Sequence, residues 1–376
     1  MENTGSHLWM EIDTQALQHN LLTLQKEAGR SNSEVMGVVK ADAYGHGIEV
    51  VKLLFDWGLK RVGVATVEEG CNLRKVDFRG EILVLGGFFS EEIDSILDNH
   101  LVPVVSCFEE GRSLAEKVGQ RGETVKFHLK IDTGMGRGGF LERDLPADWW
   151  RRVNQNPFLS LAGIMTHFSC AESDREYTES QFGQFLTFLN HLPQDGTLPP
   201  FLRHCSNSAA FLLFPEMRLD LSRLGIALFG VSPTGDARLV VDCSLRPVMA
   251  IKTRIKNIKT LPANFRVGYG STFVTSRETK VAVVSLGYAQ GLFRSLSNRL
   301  EVLVRGKRVP ALGTISMDQM VIDVSGIEGV KRGEVVTVLG REGEEEIRVE
   351  ELAHRCGTIP HEILCSFRRI TKKICR

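Results

Sequence analysis

The sequence lacks the marks of several large protein classes. Lys plus Arg equals Asp plus Glu, 46 of each in 376 residues, so no basic excess points to nucleic acid. The longest apolar runs, such as residues 82–89, fall far short of the ~18 residues a membrane-spanning helix needs. Residues 1–10 have neither a basic n-region nor an apolar h-region, so no secretory signal is expected. The eight cysteines are scattered singly without a C-x-x-C pair, which argues against a disulfide framework or a metal site and for reduced thiols. No G-x-G-x-x-G turn follows the first apolar run, so the dinucleotide fingerprint of doubly wound sheets is missing too. There is no internal repeat and no low-complexity segment. These absences leave a cytoplasmic globular protein, long enough for two domains, with no metal, membrane or nucleic-acid partner expected.

What is present begins with an apolar, β-branched run (Val35, Met36, Val38, Val39) that ends on Lys40. Gly45 and Gly47 free the backbone to turn, and a helical pattern (Ile48, Val51, Leu53, Leu54) follows. A lysine at the carboxyl end of a buried strand sits where barrel enzymes keep their chemistry. Partial desolvation there would favour the free amine as a Schiff-base nucleophile or general base. Such a lysine can equally snorkel to the strand end and do nothing.

Seven further strand-like runs follow, at 61–67, 82–85, 102–105, 125–131, 161–165, 201–204 and 218–221. Helical patterns lie between them, for example at 91–97, 111–118, 148–153 and 181–192. The first helix is expected after Asp13 or Thr14, carrying Leu17, Leu21, Leu22 and Leu24. Eight βα alternations predict a parallel (β/α)8 barrel over residues 1–236. Past Ser232-Pro233-Thr234-Gly235-Asp236 the pattern changes to short strands, at 281–286, 300–304, 320–324 and 335–339, after an alternating stretch at 248–259. Residues 237–376 therefore read as a compact β-rich domain, with one late helix around 349–354.

In a barrel, the loops after strands seven and eight commonly bind phosphate. Here they supply His204-Cys205-Ser206-Asn207-Ser208-Ala209-Ala210 and Arg223-Leu224-Gly225-Ile226-Ala227. Small residues let the backbone approach an anion, and Ser208 can donate to it, although Asn207-Ser208 is also an ordinary helix cap. A phosphate site opposite a Schiff-base lysine suggests pyridoxal phosphate. Arg223 could donate to a pyridine nitrogen without transferring a proton, which weakens the cofactor as an electron sink and disfavours transamination. A surface salt bridge is the common alternative for an arginine.

Val39-Lys40-Ala41-Asp42-Ala43-Tyr44-Gly45-His46-Gly47 resembles the cofactor-lysine signature of bacterial alanine racemases. The likeness spans essentially the whole chain. It includes Lys130-Ile131-Asp132-Thr133-Gly134-Met135-Gly136-Arg137, Met165-Thr166-His167-Phe168, Asn207-Ser208-Ala209 and Arg223-Leu224-Gly225-Ile226-Ala227-Leu228. Gly268-Tyr269-Gly270, Leu286-Gly287-Tyr288-Ala289 and Ser316-Met317-Asp318-Gln319 continue it in the second domain. The resemblance implies a two-base racemase that makes D-alanine for peptidoglycan as a homodimer with shared active sites. Lys40 would carry pyridoxal 5'-phosphate and act as one base, and Tyr269 of the partner subunit would be the other. The resemblance further implies that Tyr44, Asn207, Ser208 and the Gly225–Ile226 backbone hold the phosphate. Arg223 would meet the pyridine nitrogen, with His167 bridging it to Tyr269. Arg137 and the Met317 backbone would hold the substrate carboxylate, Tyr288 would line the pocket entrance, and Lys130 matches a lysine carbamylated in some members.

Four positions depart from the family pattern. His361 replaces a tyrosine that helps hold the phosphate and restricts the pocket, which opens the alternative of a serine or broader small-amino-acid racemase. Gln290, Phe229 and Gly268 replace an aspartate, a tyrosine and a serine. A decarboxylase of the same architecture would carry a C-terminal Cys-Asp motif, which this chain lacks. A pyridoxal-phosphate carrier would not need the β-rich domain.

Overall fold

The computed structural model describes residues 6–193 and 195–375. The chain divides into two compact units. One comprises residues 21–43 and 48–228; the other takes the described residues up to Asn20, residues 44–47, and those from Phe229 onward.

After a first strand β1 (Leu8–Asp13), which belongs to the second unit, eight strands build the first: β2 (Glu34–Val38), β3 (Arg61–Val64), β4 (Glu81–Val84), β5 (Val102–Val105), β6 (Val125–Lys130), β7 (Leu159–Met165), β8 (Leu202–His204) and β9 (Leu221–Leu224). They pair in parallel in the order β8-β7-β6-β5-β4-β3-β2-β9. Two backbone hydrogen bonds join the ends: Asp220 N–H to Arg203 O, 3.1 Å, and Arg223 N–H to Ser206 O, 3.0 Å. The result is the expected (β/α)8 barrel. Its strands are short and mostly buried, β3, β4, β5 and β9 almost wholly so, as a parallel sheet covered on both faces requires. Met36, Leu83, Val102, Val104, Met165 and Leu221 form one cluster inside it, each burial stabilising by roughly 1.5–3 kcal/mol.

Capping fixes where the outer helices begin. Thr66 Oγ accepts from Glu69 N–H (3.2 Å), Asp174 Oδ1 from Tyr177 N–H (2.9 Å), and Asn207 Oδ1 from Ala210 N–H (2.9 Å). The expected strand at 218–221 lies three residues later, at β9. Leu219 sits at φ 50°, which interrupts extension, and Arg218 turns inward to donate to the carbonyls of Phe211 and Glu27.

In the second unit the long strand β10 (Met249–Leu261) pairs with β1 on one side. Strands β11 (Arg266–Val267) and β12 (Phe273–Val274) form a separate hairpin. Then come β13 (Thr279–Val284), β14 (Glu301–Val304), β15 (Lys307–Leu312), β16 (Met320–Asp323), β17 (Val335–Glu342), β18 (Glu345–Ile347) and β19 (Lys372–Cys375). Because β10 pairs with both β13 and β17, the strands β10, β13, β16, β15, β14 and β17 close into a ring. This is the β-rich domain the sequence predicts. β1 and β19 extend it as a parallel pair. Two late helices form instead of the one expected, Val349–Cys356 and Pro360–Ser366. Proline at the start of the second, where no N–H partner is needed, is its start signal.

Candidate active site

In the barrel unit every candidate residue lies at the carboxyl ends of the strands or in the loops that follow. Lys40 comes two residues after β2, with its side chain exposed in this chain. It does not sit in a simple glycine turn. Ala41, Asp42, Ala43 and Tyr44 all adopt left-handed backbone, at φ 55°, 57°, 52° and 54°. L-residues in this conformation cost roughly 1–2 kcal/mol each, so the surrounding fold must hold the turn. On the barrel side Glu69 does so: its carboxylate accepts from Ala41 N–H (2.8 Å) and Ala65 N–H (2.7 Å), tying the ends of β2 and β3 together. Glu110 repeats the device after β5, accepting from Ser106 N–H at 2.6 Å and Ser106 Oγ at 2.9 Å. The motif reading missed both glutamates. Their signal is a glutamate in the first turn of a helix that follows a strand.

Arg223 lies within β9, beside β2, with Met36 its register partner. It is 3% exposed, so it is not a surface salt-bridging arginine. Nη1 donates to His204 Nδ1 at 2.9 Å. Nη2 donates to His167 Nδ1 at 3.0 Å and to the carbonyls of Thr166 (2.8 Å) and Cys205 (3.0 Å). All four acceptors are neutral. Burial without a carboxylate pulls its pKa down to about 10, still charged near neutrality. His204 Nε2 in turn lies 2.7 Å from Nδ1 of His128, and both rings are fully buried. Burial, reinforced by Arg223, holds His167 and His204 well below the usual imidazole value. The cation of this cluster is therefore Arg223 alone, and His167 is neutral.

Lys130 ends β6 and is buried. Burial first, then the charges of Arg137 and Arg223, depress its pKa and favour the free amine. Asp132 organises the loop carrying Arg137, its carboxylate accepting from the N–H groups of Gly134, Met135, Gly136 and Arg137 at 2.8–3.2 Å. Partial burial raises the Asp132 pKa, but these donors together outweigh it and the net shift is downward. Tyr177 supports the same loop by donating to Gly134 O at 2.9 Å.

Asn207 spends its side chain as the cap of the helix Ser208–Leu213. Ser208 Oγ accepts from Gly225 N–H at 3.0 Å and Ala227 N–H at 3.4 Å. Gly225 N–H is thus taken by Ser208, whose own hydroxyl proton stays available to an external acceptor. A hydroxyl donor and a helix start, together with a buried guanidinium whose partners are all neutral, suit a phosphorylated pyridine by the chemistry of their donors.

In the second unit Tyr44 is buried, its ring 5.8 Å from those of Phe229 and His361. His361 is the second residue of the helix Pro360–Ser366. Tyr269 stands at the tip of the β11–β12 hairpin between two left-handed glycines, Gly268 (φ 71°) and Gly270 (φ 72°). Its carbonyl accepts from Thr314 Oγ at 2.8 Å, which pins the backbone, while the residue is 72% exposed. Tyr288 and Met317 occupy loops joined by Tyr288 N–H to Ser316 O (3.1 Å) and Ala289 N–H to Met317 O (2.9 Å). Gln290 bridges the same loops, accepting from Gly287 N–H (3.0 Å) and donating to Asp318 Oδ1 (2.9 Å). The second contact needs a donor, which the family's aspartate would not supply.

Comparison with known proteins agrees in both halves. Residues 12–233 match the N-terminal domain of alanine racemase and residues 248–375 its C-terminal domain. The alanine racemase of Methanococcus maripaludis is 39% identical, with 95% of each chain covered. That of Halothermothrix orenii is 40% identical over 95% of this chain and 93% of its own. The crystal structure of alanine racemase from E. faecalis superposes with a TM-score of 0.91 at 33% identity, covering 99% of each chain. The Bacillus anthracis enzyme with bound L-Ala-P gives 0.88 at 32%, covering 99% of this chain and 96% of that one. With matching domains over nearly its whole length, this chain belongs to the alanine racemase family.

Proposed function

We propose that this protein interconverts L-alanine and D-alanine with pyridoxal 5'-phosphate attached to Lys40. The observation that carries the reading is the carboxylate-free, buried Arg223 on the strand beside the one that leads into Lys40. When bound, the cofactor would delocalise the electron pair left on the α-carbon after proton loss. Arg223 would donate an N–H to its ring nitrogen without giving up a proton. Ser208, with Tyr44 and the Ile226 backbone, would hold the phosphate, while the Asn207 side chain and Gly225 N–H, engaged as the helix cap and with Ser208, would shape that site rather than bind the anion.

Racemisation without turning the substrate over needs a base on each face. Lys40 would serve one face and Tyr269 the other. A phenol has a pKa near ~10, so it needs help to work near neutrality. His167 can supply that help as a neutral donor: Arg223 occupies its Nδ1, so its proton sits on Nε2. Arg137 and the Met317 backbone would hold the substrate carboxylate, with Tyr288 at the entrance. Lys130, whose burial eases loss of its proton, could accept carbon dioxide as a carbamate and orient Arg137.

Exposure of Tyr269 supports its serving a partner subunit, and hence a homodimer. In functional terms residues 1–236 would bind the cofactor and residues 237–376 would supply the second base. No helix among the described residues is long and apolar enough to cross a membrane, which fits a cytoplasmic enzyme supplying D-alanine to peptidoglycan. A broader substrate range is the second reading, motivated by His361 beside Tyr44.

The test is to incubate purified protein and cofactor with each alanine enantiomer, and with a panel including serine, and follow optical rotation. Both alanine enantiomers should converge on an optically inactive mixture. Consumption of amino acid without the opposite enantiomer would reject the reading.

A further inference from the structure

His128 belongs to none of the motifs, yet it ends a continuous hydrogen-bonded chain that starts at Arg223. We propose that His128 is a positioning residue: by accepting from His204 it holds that ring, and through it the Arg223 guanidinium, in one orientation. The inference rests on the racemase reading for its consequence, but its geometry stands on the barrel alone.

A guanidinium only donates, so His204 Nδ1 must accept and the neutral ring carries its proton on Nε2. That proton points at His128 Nδ1, 2.7 Å away, and His128 then carries its own proton on Nε2. One polarity runs through both rings. Nε2 of His128 is buried with no partner among the described residues, so no second hydrogen bond competes for the ring. The strand opposite has made room for it. His128 pairs in register with Gly163 just past an irregularity after Phe127, and a Cβ at Gly163 would fall on His128 Nδ1 and Cε1. The two imidazoles meet edge to face, with centroids 4.9 Å apart at 70°. A carboxylate in the place of His204 would also orient Arg223 but would neutralise it. A neutral imidazole pair orients the fork and leaves its charge directed at the site.

Long-range ¹H–¹⁵N correlation on labelled, cofactor-free protein reads the imidazole tautomers directly. Wild type should show both His204 and His128 as neutral Nε2–H forms. In His128→Leu the His204 Nε2–H signature should shift and broaden, because that proton loses its acceptor and the ring its hold. The holoenzyme should lose about tenfold in kcat, the worth of one hydrogen bond, with KM for alanine little changed. His128→Asn, whose Oδ1 takes the place of Nδ1, should restore the signature and most of the rate. Gly163→Ala keeps both histidines but displaces the ring, so it should reproduce the leucine result and serves if that variant fails to fold. An Nδ1–H form of His204 in wild type would overturn the proposal. So would an unchanged His204 signature and kcat in whichever of the leucine and alanine variants fold. Failure of the wild-type enzyme to racemise alanine would instead strike the functional reading, since the tautomer measurement uses neither substrate nor cofactor.

Discussion

Arg223 donates to His167 Nδ1 across 3.0 Å, and this one bond decides what His167 can do. Its Nδ1 lone pair is occupied by a group that cannot accept, so His167 offers a proton from Nε2 and cannot take one there while neutral. Arg223→Gln should remove both this constraint and the charge behind it. Hydrogen bonds to charged groups are worth about 1.5–3 kcal/mol, so kcat should fall on the order of 10- to 100-fold. Steady-state kinetics on folded variant would check this, and an unchanged kcat would mean the arginine is a packing residue.

The two bases are expected to divide the enantiomers between them. If Lys40 carries the cofactor as proposed, its amine would be held on one fixed face of the site, the one the family assigns to D-alanine. Tyr269→Phe should then still exchange the α-proton of D-alanine with deuterated water while exchange from L-alanine collapses. Overall racemisation should drop on the order of 10² to 10⁴, the usual range for a general acid–base group. Equal loss of exchange from both enantiomers would mean one shared base.

Tyr269 is 72% exposed at the tip of its hairpin, with the backbone fixed and the side chain projecting. Inactive Lys40→Ala and Tyr269→Phe subunits, mixed under conditions where they exchange, should therefore regain activity in hybrid dimers. Each hybrid carries one site with both native bases. No recovery despite demonstrated exchange would place the two residues in the same chain's site.

Much of this was legible in the sequence, for reasons that can be named. Alternating apolar runs and helical patterns predict the barrel because each parallel strand is buried on both faces and each helix on one. Lys40 stands out because a charge ends an otherwise apolar strand. β1 and β19 were not legible: each is a short run near a chain end, and their pairing depends on segments more than 350 residues apart. The conformation of Ala41–Tyr44 was hidden as well, since alanine rarely adopts left-handed backbone and only the tertiary structure enforces it. His128 did leave a trace. His128 and Lys130 stand two residues apart at the end of β6 and are both buried, and polar side chains on the inner face of a parallel barrel strand point to the chemistry inside. All four tyrosines prove to bear on candidate site elements: three as candidate ligands or bases, and Tyr177 as a support for the Asp132 loop.

His361 stands 5.8 Å from Tyr44, ring to ring, where the family carries a tyrosine. An imidazole fills less volume and reaches less far than a phenol. His361→Tyr should therefore lower activity on serine relative to alanine, measured as the ratio of the two kcat/KM values. An unchanged ratio would remove this position from the account of specificity.

The buried histidines also make a prediction about stability and acid. Burial pushes His128 down to about 3 and His204 well below the usual imidazole value, so the folded barrel keeps both neutral. The unfolded chain protonates them below pH ~6.5. In the window from there down to the folded values, the unfolded state binds more protons than the folded one. Stability must then fall as pH falls, by about 1.4 kcal/mol per pH unit for each group once the unfolded form is fully charged. Above pH ~7 the term is constant, because both states are neutral. Carboxylates add a loss of the same sign at lower pH, so the measurement has to be comparative. Urea unfolding of wild type and His128→Leu between about pH 7 and pH 5 should show the variant less stable at neutral pH yet declining less steeply, by up to one group's worth of slope. Parallel declines would mean that His128 takes up its proton in the folded state as readily as in the unfolded chain, and the neutral pair behind Arg223 would have to be abandoned.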